Sequence, residues 1–163
     1  MIKYYLAALK KYATFSGRAR RKEYWYFALM NWIISFCLSL PFLCSYFNVI
    51  FQAVSGTDTL PTEDELFLTT LANMSLISII LYALVIIYQI AVFIPTLALW
   101  VRRLHDIGKS GKFLLLILVF FIPLVNILAC IVLPILFLVW ACTDSQIGEN
   151  KYGADPKAEE RMA

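Results

Sequence analysis

The residues best placed to do chemistry lie in one short stretch, RRLHDIGKSGK, from Arg102 to Lys112. It holds the single histidine of the chain, His105, next to Asp106, and a Gly108-Lys109-Ser110 like that of a phosphate loop. A His beside an Asp can serve as general base, metal ligand or pH sensor. A metal site needs partners, and there is no second His and no nearby Cys. Nucleophilic catalysis needs a Ser or Cys oriented by the His, for which Ser110 is available. Consecutive helical residues point in different directions, so His105 and Asp106 need not touch. Hydrogen bonding and pairing with the arginines is the preferred reading over catalysis.

The Gly-Lys-Ser fails as a phosphate loop. That pattern requires a glycine five residues earlier and a preceding strand; the place holds Arg103, after a long apolar segment. Structural roles fit better. Gly108 suits the left-handed conformation that closes a helix, and Arg102 and Arg103 complement the dipole of its C-terminal end. Ser110 can cap the next helix. Cys37, Cys44, Cys130 and Cys142 form no CxxC pair, so they are read as small apolar packing residues. No catalytic residue, metal or cofactor is expected, and no nucleic-acid partner.

The elements that position this stretch are set by hydrophobicity. Hydrophobic residues make up 61% of the 163 residues and charged ones 15%, against about 45–50% and about 25% in soluble domains. No charged residue or His occurs from Tyr24 to Val54, Leu66 to Val101 or Phe113 to Thr143, runs of 31, 36 and 31 residues. About 20 apolar residues cross a bilayer as a helix, and a soluble fold has nowhere to hide three such runs. The first run starts too late and is too long for a cleaved signal peptide.

Seven Lys/Arg precede Tyr24, four lie in Arg102–Lys112 and three follow Thr143; 55–65 has none but carries Asp58, Glu63, Asp64 and Glu65. The positive-inside rule therefore places the N-terminus and the 102–112 loop in the cytoplasm and the acidic loop outside. Ile2, Tyr5, Leu6, Leu9 and Ala13 recur at helical spacing, with Lys3, Lys10 and Lys11 elsewhere on the wheel. That pattern predicts an amphipathic helix in the membrane interface. Arg18, Arg20, Arg21 and Lys22 then open the first spanning helix. Cations there oppose the macrodipole, so anchoring to anionic lipid is their expected role. Tyr24, Trp25, Tyr26 and Trp32 supply an aromatic belt.

The expected fold is an all-α integral membrane protein: a small polytopic helical bundle with an N-terminal amphipathic interfacial helix. Two long spanning helices are followed by a C-terminal helical hairpin. As a single membrane domain it divides into an interfacial helix (1–15), spans at 24–54 and 66–101, and a loop at 102–112. A hairpin or kinked span covers 113–143, then a polar tail 144–163. Thr62 and Glu65 have the spacing of a capping box. The second span is too long for a ~30 Å hydrocarbon core and must tilt, protrude or break, with Pro95 as the expected bend. Between 113 and 143 the hairpin, turning near Pro123–Asn126, is preferred over one kinked crossing. Two polar stripes, Asn31/Ser35/Ser39 and Ser75/Ser78/Tyr82/Gln89/Thr96, are expected to face other helices; the alternative is a polar conduction path. The tail GENKYGADP reads as an ordered turn.

Three motifs together, FSGRARRKEYW (Phe15–Trp25), RRLHDIGKSGK and GENKYGADP (Gly148–Pro156), resemble the bacterial "domain of unknown function 805" family of small inner-membrane proteins, the YhaH/YhaI kind. The resemblance spans nearly the whole chain. Two features depart from it: Lys112-Phe113 stands where the family usually has aromatics after the loop glycine, and the outer loop and second helix look longer. The family has no established activity, so it implies no catalytic residues. It implies a polytopic inner-membrane protein in which Arg18, Arg20, Arg21, Glu23, Arg102, Arg103, His105, Asp106, Gly108 and Gly111 form a cytoplasmic polar cluster. Glu23 and Asp106 would each neutralise arginines of the other motif. The expected role is non-enzymatic, a basic face binding anionic lipid headgroups or a membrane-protein partner, with homo-oligomers allowed. The alternative is a small oligomeric channel or transporter component.

Overall fold

In the computed structural model, residues 1–56, 62–121 and 123–162 are described. The elements are α1 (Ile2–Lys10), α2 (Arg21–Gly56), α3 (Glu63–Ala72), α4 (Leu76–Asp106), a 3-10 helix (Gly111–Phe121), α5 (Pro123–Cys142) and α6 (Ala158–Met162). The protein is all-α, and within α2 and α4 the segments Arg21–Gln52 and Leu76–Asp106 are long and apolar enough to cross a membrane. Only 6% and 11% of their most apolar windows is buried by protein. They are therefore not the core helices of a soluble fold; Phe51 (73% exposed) and Ile90 (69%) turn outward as lipid-facing side chains do. Asp58 and Pro61 of the acidic loop lie outside the described residues.

The chain forms two compact units, residues 31–91 and residues 1–30 with 92–163. In the first, α3 begins with the expected capping box. Thr62 Oγ1 accepts from Glu65 N–H (3.4 Å), and Glu65 Oε2 accepts from Thr62 N–H (3.0 Å). The long second span divides into α3 and α4, and Pro95, the expected bend, lies inside the continuous helix α4. Asn73 Nδ2 donates back to Thr69 O (2.9 Å), and Ser75 Oγ accepts from Ser78 N–H (3.2 Å), capping α4. Polar caps satisfy helix ends, so a few short polar residues stop one helix and start another.

The two polar stripes meet within this unit. Gln89 Nε2 donates to Ser35 Oγ (2.6 Å), Tyr88 Oη donates to Asn31 Oδ1 (2.5 Å), and Phe42 stacks on Tyr82 with centroids 4.4 Å apart. Ser39 instead bonds the Phe36 carbonyl, and Ser75 bonds Ser78. Tyr88 lies outside the expected stripe.

In the second unit α1 packs on the start of α2. Tyr5 stacks on Phe27 (5.4 Å) and Tyr4 on Tyr26 (5.3 Å), around a core of Ala8, Ala19, Phe27 and Leu99. Ile2 and Leu6 remain exposed. The apolar stripe of α1 is thus divided between protein and interface. The region after Lys112 is the hairpin. The 3-10 helix packs on α5, and Phe113 near its start meets Trp140 near the end of α5 (5.4 Å, edge to face), so the limbs are antiparallel. Eleven residues at a 3-10 rise cover roughly 22 Å and the 20 residues of α5 about 30 Å; the first limb falls short of a full crossing. Pro123 opens α5, where a missing N–H costs nothing, and Asn126 lies inside α5 and not in a turn. Cys37, Cys44, Cys130 and Cys142, read as small apolar packing residues, are exposed on α2 and α5.

Candidate functional site

The site grows from the end of α4. Gly108 takes φ 75°, its N–H donates to His105 O (3.0 Å), and Lys109 N–H donates to Leu104 O (2.9 Å). This pair of bonds is a Schellman stop. The left-handed backbone requires glycine at 108, and a Cβ there would also collide with the side-chain amide of Gln146, which would have to shift. Gly111 is a close-approach glycine, since its Cβ would fall 2.7 Å from Val101 Cγ1. Ser110 Oγ accepts from Lys112 N–H (3.3 Å) at the start of the 3-10 helix.

The last carbonyls of a helix lack intrahelical donors. Here two distant segments supply them. Asp106 O accepts from Gln146 N–H (3.0 Å) and Arg18 Nη2 (3.5 Å), and His105 O also accepts from Asn150 Nδ2 (3.1 Å). One turn earlier, Arg102 O accepts from Ala19 N–H (3.1 Å). The segment before α2 and the tail after α5 thereby dock on the end of α4.

At the centre Asp106 is fully buried. Its Oδ1 accepts from Arg18 Nε (3.0 Å); its Oδ2 accepts from Arg103 Nη1 (2.6 Å) and Ser145 Oγ (2.5 Å). Arg18 further donates to Gln146 O (2.5 Å) and Gly148 O (2.6 Å), and Arg103 donates to Thr143 O. Two guanidinium groups share one carboxylate, and backbone carbonyls take further N–H groups. Burying charge is costly unless it is paired and bonded in this way. Arg103 Nε and Arg102 Nη2 are buried without a hydrogen-bond partner among the described residues.

The other sequence-derived residues occupy different surroundings. Arg102 is buried, donates to Ala98 O (3.3 Å) and lies in the field of Glu23. Glu23 itself makes no ion pair among the described residues. Asp106 thus joins arginines of both motifs, whereas Glu23 acts on Arg102 only through space. His105 does not engage Asp106. Its Nδ1 is 3.3 Å from Gly17 O, and its ring stacks on Tyr152 at 3.8 Å. Arg20 turns away from the centre to pair with Glu160 (2.6 Å), and Arg21 is exposed.

Sequence reading missed the third partner, the tail. Ser145, Gln146, Gly148, Asn150 and Tyr152 all bond or stack on the end of α4 or on Arg18. The available signal was the density of turn residues in GENKYGADP. The tail is braced internally: Gly148 N–H donates to Asp155 Oδ2 (3.0 Å), Lys157 pairs with Asp144 and Arg161 with Asp155. The hydrogen bond from Lys157 Nζ holds the Asp144 carboxyl below its ordinary range. The Lys157 backbone N–H does the same for Asp155. Among the described residues no three His, Cys, Asp or Glu converge as a metal site would require.

The family described as "Protein of unknown function (DUF805)" matches residues 12–154, a span holding all three segments that meet at Asp106. The inner membrane protein YhaI of Escherichia coli (strain K12) is 37% identical over 156 residues, covering 96% of this chain and 97% of its own length. The inner membrane protein YhaH of the same strain is 36% identical over 156 residues, covering 96% and 98%. No solved structure matches the chain. With its all-α fold, two apolar spanning helices and near full-length likeness to inner-membrane proteins, this chain belongs to the DUF805 family of integral membrane proteins.

Proposed function

We propose that this protein is a non-enzymatic inner-membrane protein whose N-terminus, central loop and tail present one basic face to the cytoplasm, where it holds anionic lipid headgroups. One observation carries the reading: among the described residues of that unit, cations without an ion pair outnumber acids without one, Glu23 and Glu149. Asp106, Asp144, Asp155 and Glu160 are each held by a cation of the same unit. Lys10, Lys11, Arg21, Lys22, Lys109 and Lys112 hold no ion pair among the described residues. A basic side chain near an anionic leaflet contributes on the order of 1 kcal/mol, so several together outweigh a neutral surface. The positive-inside rule supports the cytoplasmic assignment.

The surroundings of His105 and Asp106 support a structural and not a catalytic role. Asp106 is sealed from solvent by its three partners, and one face of the His105 ring is covered by Tyr152. The pairing of Gln89 with Ser35 and of Tyr88 with Asn31 likewise favours helix contacts over a conduction path. The test is the lipid retained by the full-length protein purified from membranes. Enrichment of anionic over zwitterionic lipid, relative to the bulk membrane, is expected; a retained composition equal to the bulk removes the reading.

A further inference from the structure

We propose that a cavity of about 490 Å³ beside the start of α2 receives the phosphate of an anionic lipid headgroup, and that Glu160 of α6 is the internal carboxylate which this phosphate displaces. The inference rests on the lipid-binding reading above and gives it a place.

Among the described residues the cavity is lined by the cations Arg20, Arg21, Lys22 and Lys157 and by the carboxylate of Glu160. Lys157 is paired with Asp144 and Arg20 with Glu160. Arg21 and Lys22 hold no ion pair among the described residues. The first helical bond at this end is Tyr24 N–H to Arg20 O (3.2 Å). The N–H groups of Arg21, Lys22 and Glu23 precede it and add the positive end of a 36-residue helix. Cations at such an end destabilise the helix, so its own stability gives no reason for three in a row. An anion seated among them does. The volume falls in the ~300–1,000 Å³ range of small-ligand sites.

The aromatic wall decides for a lipid over a free anion. Trp25 and Tyr26 line the cavity, and such amphipathic rings sit at headgroup depth. The charge-free run from Tyr24 to Val54 begins immediately beyond it. The cavity therefore stands at the polar end of a spanning helix, where lipid phosphates lie.

Glu160 has the properties of a placeholder. Its Oε1 accepts from Arg20 Nη1 at 2.6 Å, but the two side chains are 50% and 22% exposed. Ion pairs this open to water are weak. A phosphate accepts from Arg20 as the carboxylate does, and it can also engage Arg21 and Lys22.

Native mass spectrometry of the full-length protein, titrated with phosphatidylglycerol, with phosphatidylcholine of the same acyl chains and with inorganic phosphate, tests this. Glu160→Gln and Arg20→Gln break the same ion pair, yet they should act in opposite directions on phosphatidylglycerol binding. Arg20→Gln weakens it about fivefold, and Glu160→Gln strengthens it by a similar factor. Glu149→Gln, removing an exposed acid that does not line the cavity, should have the smaller effect. Glu160→Gln removes no cation, so its result stands even where Arg20→Gln fails to fold. Shifts in the same direction, or equal shifts for Glu160→Gln and Glu149→Gln, overturn the pocket. Inorganic phosphate displacing phosphatidylglycerol at equal concentration overturns the lipid assignment. Preference for phosphatidylglycerol with no response to any variant sinks the pocket alone. Absence of that preference in the unaltered protein sinks the broader lipid reading with it.

Discussion

Asp106 Oδ1 accepts a hydrogen bond from Arg18 Nε at 3.0 Å, between residues 88 positions apart, with both side chains sealed from solvent. Arg103 binds the second oxygen of the same carboxylate at 2.6 Å. One acid thereby fixes the segment before α2, the end of α4 and, through Arg18 and Ser145, the tail.

Asp106→Asn should be among the most damaging single changes in the chain. It leaves two guanidinium groups buried without a counter-charge, which costs about 3–5 kcal/mol. The thermal midpoint of the detergent-purified protein should fall and its membrane accumulation drop. An unchanged midpoint would show that the knot does not hold the fold.

Gly108→Ala should cost about 1–2 kcal/mol for the left-handed backbone, and more for the Cβ placed against Gln146. The double change Gly108→Ala with Gln146→Ala removes the collision and keeps the backbone penalty. The pair should therefore be less destabilised than the two single losses added together, a double-mutant coupling. Strict additivity of the unfolding free energies would refute the contact.

Docking of the tail should weaken in acid. The Asp144 and Asp155 carboxyls are held below their ordinary value of 3.8, Asp144 chiefly by the Lys157 ammonium and Asp155 chiefly by the Lys157 backbone N–H. A carboxylate with a depressed folded value contributes fully above its unfolded value, and loses that contribution as pH falls through the folded one. Spin labels placed at Glu149 and Lys11 should keep their separation from neutrality down to about pH 4 and move apart below it. Separation that begins near pH 6 would implicate a different group.

Because Gly148 and Gln146 bond Arg18, the two termini and the 102–112 loop must lie on one side of the membrane. Reporter fusions at Met1 and Ala163 should therefore read the same compartment, and the basic charge balance predicts that it is the cytoplasm. Opposite readings would mean a single kinked crossing after Lys112.

Much of this molecule is local and therefore legible in its residues. Three charge-free runs fix the membrane class, because no soluble interior accommodates them. Gly108, Ser110 and the Thr62–Glu65 box act within a few residues of themselves, so their types announce the helix ends they make. Tertiary structure alone decided the rest. The break at Asn73–Ser75 depends on two caps that a run of apolar residues conceals. The cysteines prove exposed because lipid covers apolar surfaces from outside, so apolar character does not separate interior from exterior. Above all, the partners of Asp106 lie 88 residues upstream and 39 downstream. No periodicity links such positions. Only the folded chain, by burying a carboxylate that must be paired, shows which arginine and which serine satisfy it.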